Sequence, residues 1–191
     1  MIYFVRHGET EWNKLLKCQG RADISLSDSG MQSAKTTAEL LKTVHFYAAF
    51  ASPLLRAKQT FEIIVGRAPE PEETDLRLSE RDFGEFEGKT RSEFDFKDFW
   101  NADSRKVYER AESLSDFYGR VFGFVKEIAQ KYTGNVLIVS HGGVGFVMNA
   151  IFNGVPKSRV LSDAEIPNGS FVTFDPSRAS LTSKTIKEDS L

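Results

Sequence analysis

Apolar and polar positions along the chain follow two periods, and the switches between them divide it into strands and helices. Residues 2–5 (Ile-Tyr-Phe-Val) and 136–139 (Val-Leu-Ile-Val) are short unbroken apolar runs, the pattern of strands buried on both faces of a parallel sheet. Residues 46–51 predict another buried strand, and 74–78, 170–174 and 181–186 predict further short ones. Spacings of three and four predict the helices between them. Met31, Ala34, Ala38 and Leu41 lie on one face behind a Ser27 cap, and Leu54, Ala57, Phe61 and Ile64 on another behind Ser52-Pro53. Leu114, Phe117, Val121, Phe124, Ile128 and Tyr132 mark a long helix ended by Gly134, and a last helix runs to about Phe152 before Asn153-Gly154.

Two stretches keep neither period. Residues 11–27 read as a turn-rich loop leaving the first strand. Residues 83–112, charged and rich in aromatics such as Phe94, Phe96, Phe99, Trp100 and Tyr108, read as an insertion over the candidate site, with a helix around 91–100 and the rings used in packing. The alternation elsewhere predicts an α/β fold: a three-layer sandwich with a mostly parallel central sheet flanked by helices. With 191 residues and neither linker nor repeat, a single domain is expected.

Charge narrows the partners. Twenty-five basic and 27 acidic residues leave a net charge of −2, so no global field favours nucleic acid or an anionic membrane, and an anion site must be local. Cys18 is the only cysteine, which excludes an intrachain disulfide and suits a reducing compartment. The start of the chain lacks the marks of a signal peptide, and the apolar region 136–152 is broken by Ser140, His141, Asn149 and glycines, so a soluble cytoplasmic protein is expected. Oligomeric state leaves no mark in the pattern.

The chemistry-bearing residues fall at strand ends, where open α/β sheets place their ligands. Arg6 and His7 end the first strand, Ser140-His141-Gly142-Gly143 ends the late one, Arg56 lies in the first turn of the helix after the second, and Glu80 follows residues 74–78. A cation at a helix start is unfavourable without an anion beside it. Two arginines and two histidines at one crevice repel unless they surround a group such as phosphate. His7 then becomes a candidate nucleophile, with Arg6, Arg56 and a protonated His141 holding the phosphoryl oxygens. Glu80 is the candidate acid for the leaving oxygen, with Glu9, Glu85 and Glu87 also available. A zinc site from His7, Glu80 and His141 lacks a close histidine pair, and Cys18 has no arginine at the spacing of a phosphate loop, so no metal and no cofactor is expected.

Taken together the motifs resemble the histidine phosphatase superfamily, also called phosphoglycerate mutase-like. They are Arg6-His7-Gly8-Glu9-Thr10 with Asn13, Leu26-Ser27-Asp28-Ser29-Gly30, Ser52-Pro53-Leu54-Leu55-Arg56, Leu78-Ser79-Glu80 and Ser140-His141-Gly142. The resemblance implies the phosphoglycerate mutase-like fold and a metal-independent reaction in which His7 is phosphorylated and Glu80 donates the proton. Arg6, His7, Asn13, Arg56, His141 and Gly142 would form the phosphate pocket. The insertion before Ser113 is modest beside that of longer mutases, which favours the small phosphatase branch: a phosphomonoester hydrolase acting on a small phosphorylated metabolite. Mutase-type phosphoryl transfer and a non-catalytic phosphate-binding or regulatory module are the alternatives. Nothing selects the phosphoester. Arg21, Arg81, Lys89 and Arg91 are candidates to steer a second acidic group on it, or are solvated surface charge.

Overall fold

The structure, a computed structural model, describes residues 1–178; the strand expected at 181–186 lies outside them. Four strands form one sheet in the order β2-β3-β1-β4: β1 (Ile2–Arg6), β2 (Ala48–Ala51), β3 (Val136–Ser140) and β4 (Phe171–Phe174). β1 and β2 both run parallel to β3, and β4 closes the other edge antiparallel to β1. Register pairs Arg6 with Ser140, so the ends of the two central strands lie side by side.

Each apolar run splits between two cores because successive strand side chains face opposite ways. Phe4 and Ile138 join α5 (Leu114–Lys131) and α6 (Gly142–Asn153) on one face. Val5, Leu137 and Val139 join Leu41 of α2 (Asp28–Leu41) and Ala57 and Phe61 of α3 (Leu55–Val65) on the other. All five strand residues are fully buried, each contributing about 1.5–3 kcal/mol of hydrophobic stabilisation. The three-layer α/β sandwich with a mostly parallel sheet is the architecture the periodicity predicts.

Departures from the expected elements have local causes. Residues 74–78 are not a strand. Thr74 makes a single parallel bridge to Ala51, and the Asp75 carboxylate accepts the Arg77 amide to start a 3-10 turn over Leu76–Leu78. Ser52 is not the cap of α3: Leu54 holds that position without a side-chain bond, and Asp23, 32 residues earlier, accepts the Leu55 amide at 2.6 Å. Met31 is exposed, because α2 turns Thr37 inward, where its hydroxyl donates to the Gly169 carbonyl. Within the two aperiodic stretches only α1 (Glu11–Lys14), capped by Thr10, and α4 (Phe96–Phe99) are α-helical, the latter far shorter than the helix expected around 91–100.

Candidate active site

β1 ends in Arg6, and the chain turns at Gly8 against the start of α2. A Cβ at Gly8 would strike the main chain of Gly30, so the approach requires the absence of a side chain. This turn sets the His7 ring. Nδ1 lies 2.7 Å from the Gly8 carbonyl, which can only accept, so Nδ1 carries the proton. The Nε–H of Arg56 donates to Nε2 at 3.2 Å, so Nε2 offers its lone pair. Burial first, then the charges of Arg56 and Arg6, hold the imidazole pKa well below its ordinary value. His7 is therefore a neutral ring with its nucleophilic nitrogen already unprotonated.

Arg56 is 1% exposed and anchored from the opposite loop: Nη1 donates to Ala22 O and Nη2 to Gly20 O, both at 2.8 Å. Burial pushes its pKa down to about 10, which still leaves it charged at neutral pH. Arg6 donates through Nη1 to Ile166 O (2.6 Å) and the Glu165 carboxylate (3.1 Å), while its buried Nε has no partner among the described residues. Asn13 accepts through Oδ1 from the Thr10 amide, the Thr10 hydroxyl and Asn168, which leaves its NH2 available. Glu80 sits at the N-terminus of α6, accepting from Gly143 N (3.1 Å) and Arg81 N (2.8 Å). A Cβ at Gly143 would overlap both this carboxylate and the Trp100 ring.

These side chains and Gly142 border one cavity of about 60 Å³ that opens to solvent. His141 is the exception. It is fully buried, with its ring centroid 5.2 Å from that of His7, and does not form the cavity wall. The Ser52 hydroxyl accepts from Leu54 N and lies 2.6 Å from His141 Nε2, a contact in which either group can be the donor. His141 Nδ1 has no partner among the described residues. The expected protonated His141 is not what the protein's own groups favour: burial, followed by Arg56 and His7, lowers its pKa well below the ordinary value.

The chain has counterparts among known proteins: residues 2–189 match the histidine phosphatase superfamily, branch 1. The chain belongs to this superfamily. An uncharacterized phosphatase, PhoE, from Bacillus subtilis is 36% identical over 160 residues, 82% of this chain and 79% of that protein. A glucosyl-3-phosphoglycerate phosphatase from Mycolicibacterium vanbaalenii is 30% identical over 168 residues, 81% and 75% of the two chains. A solved phosphoglycerate mutase from Thermus thermophilus superposes with a TM-score of 0.70 at 28% identity, covering 89% of this chain and 90% of that one. Phosphatases and mutases thus share this histidine phosphatase fold.

Several contributors to the superfamily pocket were not legible in sequence. Asn168 donates to the His7 carbonyl and to Asn13, and Glu165 bridges Arg6 and Arg91; both arrive on the loop before β4, which carries no motif. Of the four candidates for steering a second anion, only Arg91 borders the cavity. Arg81 is buried, donating to the Phe99 and Glu112 carbonyls with its guanidinium over the Phe99 ring. Arg21 pairs with Asp82 and Glu112, and Lys89 lies over Phe86. The aromatics of residues 83–112 pack on one another as expected, but Phe83, Phe96 and Trp100 also border the cavity. Cys18, at the cavity wall, has its thiol pKa pushed up to about 12 by burial, which removes it as a nucleophile. Among the described residues no group of three or more His, Cys, Asp or Glu is placed to hold a metal, and no helix is long and apolar enough to cross a membrane.

Proposed function

We propose that the protein is a metal-independent phosphomonoester hydrolase working through a phosphohistidine on His7, with a small phosphorylated metabolite as substrate. The observation that carries this reading is the His7 ring held between Gly8 O and Arg56 Nε, neutral and with Nε2 unprotonated. Nε2 attacks phosphorus and the bond from phosphorus to the ester oxygen breaks. Glu80 gives that oxygen its proton, releasing the alcohol. Arg6, Arg56, the Asn13 amide and the Gly142 main chain spread the charge of the transferring group, supplying what a metal would otherwise provide. His141 Nδ1 has no protein partner among the described residues, and with its proton there the ring donates to the phosphoryl group on His7. Water then attacks, its proton passes to Glu80, the N–P bond breaks and inorganic phosphate leaves.

Hydrolysis is favoured over transfer because residues 83–112 add only a 3-10 turn at Gly84–Phe86 and one α-helical turn, α4, leaving the cavity open to water. A reducing cytoplasmic setting suits the lone thiol, and neither nucleic acid nor membrane is required. The test is a phosphoester panel with base-quenched trapping of label. Wild-type chain retains label and releases inorganic phosphate, whereas His7→Ala retains none and loses at least about a thousandfold in rate. Equal activity of the two proteins removes His7 from the mechanism. Label passed to a second metabolite in place of water makes the protein a mutase.

A further inference from the structure

We propose that Arg120, on α5 and outside the cavity, is the positioning residue that gives Glu80 its place as the acid. The inference rests on the reading above, in which Glu80 protonates the leaving oxygen. Glu80 stands on no regular element: it follows the 3-10 turn Leu76–Leu78, and no strand ladder holds its main chain. Buried carbonyls still need partners, and those leading into Glu80 take them from side chains. Arg120 Nη1 donates to Arg77 O (2.7 Å) and Ser79 O (2.8 Å), and Nη2 to Glu80 O (3.0 Å). Ser140 Oγ donates to Leu78 O at 2.7 Å. Four successive carbonyls, 77 to 80, are thus fixed by two side chains, three of them by one guanidinium.

That guanidinium is itself held. Glu112 grips it in a two-toothed pair, Oε1 to Nε at 2.6 Å and Oε2 to Nη2 at 2.9 Å, and its other face lies over the Phe117 ring. Glu112 closes the far side of the segment through its main chain as well: the Arg81 side chain donates through Nε to its carbonyl, and its amide donates to Asp82 O. The side chains are 17% and 12% exposed, so the pair is largely removed from water and its geometry is rigid. The planar five-donor fork is what the task requires; an ammonium cannot reach three carbonyls and a carboxylate at once. Arg6, His7, Arg56 and His141 take no bond from Arg120; its charge reaches His141, where it adds to the lowering that burial, Arg56 and His7 cause.

The experiment separates acid placement from general damage by changing the leaving group. An aryl phosphate with a good leaving group, p-nitrophenyl phosphate, needs little protonation, whereas an alkyl ester such as β-glycerol phosphate needs it fully. In Arg120→Met and Arg120→Lys, kcat/KM for the alkyl ester falls at least about tenfold further than for the aryl ester. Competitive inhibition by inorganic phosphate stays within about twofold of wild type. Glu112→Gln, which keeps the fork but loosens its grip, shows the same discrimination at smaller amplitude and serves if the Arg120 variants do not fold. Equal loss on both esters in a folded variant overturns the proposal. Glu80→Gln is run in parallel: if it too fails to discriminate between the esters, the fault lies with Glu80 as the acid and not with Arg120.

Discussion

A histidine that attacks phosphorus must be unprotonated at the attacking nitrogen, and here the protein pays that cost in its own stability. His7 and His141 are both buried and both have pKa values depressed well below the ordinary 6.5, His7 by burial, Arg56 and Arg6, and His141 by burial, Arg56 and His7. For a depressed histidine the unfolded chain takes up a proton first. Stability is therefore complete above about pH 6.5 and is lost as pH falls below it, at about 1.4 kcal/mol per histidine per pH unit, until the folded pKa is reached. Urea unfolding at pH 7.5 and 5.5 should differ by about 2–3 kcal/mol from these two groups. The double variant His7→Gln, His141→Gln should lose most of that difference; an unchanged difference would place its source in the carboxylates.

Legibility at this scale follows how local each cause is. Arg6, His7, Arg56 and His141 could be placed from sequence because each sits within two residues of a strand end or helix start that announces itself by periodicity. Glu80 could be placed only by its motif, because the strand expected to deliver it does not form. Glu165, Asn168 and Arg120 could not be placed at all, and Ser52 reads in sequence as a helix cap and not as the partner of His141. Glu165 reaches Arg6 across 159 residues, Asn168 reaches Asn13 across 155, Ser52 reaches His141 across 89 and Arg120 reaches Glu80 across 40. No local period reports a pairing of that range.

Among the elements, α6 couples the core to the chemistry. Gly142, Gly143 and Gly145 open a helix whose later residues Val147, Met148 and Ile151 are core, so its N-terminus is held rigidly at the end of β3. Gly143 leaves room for the Glu80 carboxylate and the edge of Trp100 together, and donates its amide to the former. Gly143→Ala is expected to push one of them aside. The strain should cost about 1–3 kcal/mol, read as a lower midpoint in chemical denaturation. Turnover of alkyl phosphoesters should fall at least about tenfold while phosphate inhibition persists. A variant with wild-type turnover would show that neither neighbour needs its observed position. Strong repeats made β1, β3, α2, α3, α5 and α6 readable, whereas residues 83–112 were not, because their order comes from rings stacking on rings, such as Phe86 on Phe94 and Phe83 on Phe99.

For the molecule as a whole, a net charge of −2 conceals a local excess of cations at one end of the sheet, and that contrast fixes how ligand, proton and stability are linked. A doubly charged oxyanion between Arg6 and Arg56 offsets the repulsion that, second to burial, keeps His7 and His141 neutral, so its binding raises both pKa values and is accompanied by proton uptake. Sulfate isolates the effect, since its own charge does not change between pH 5.5 and 7.5, unlike that of phosphate. At a concentration about 100 times its Kd, sulfate should stabilise the fold by about 2.7 kcal/mol, roughly 5–10 °C in Tm for a chain of this size. The shift at a fixed concentration should grow as pH falls through 6.5, opposite in sign to the decline of the ligand-free protein. Arg56→Met should abolish it at both pH values. A sulfate shift independent of pH would mean that the anion does not reach the histidine pair, and the charge arrangement at the strand ends would then need another occupant.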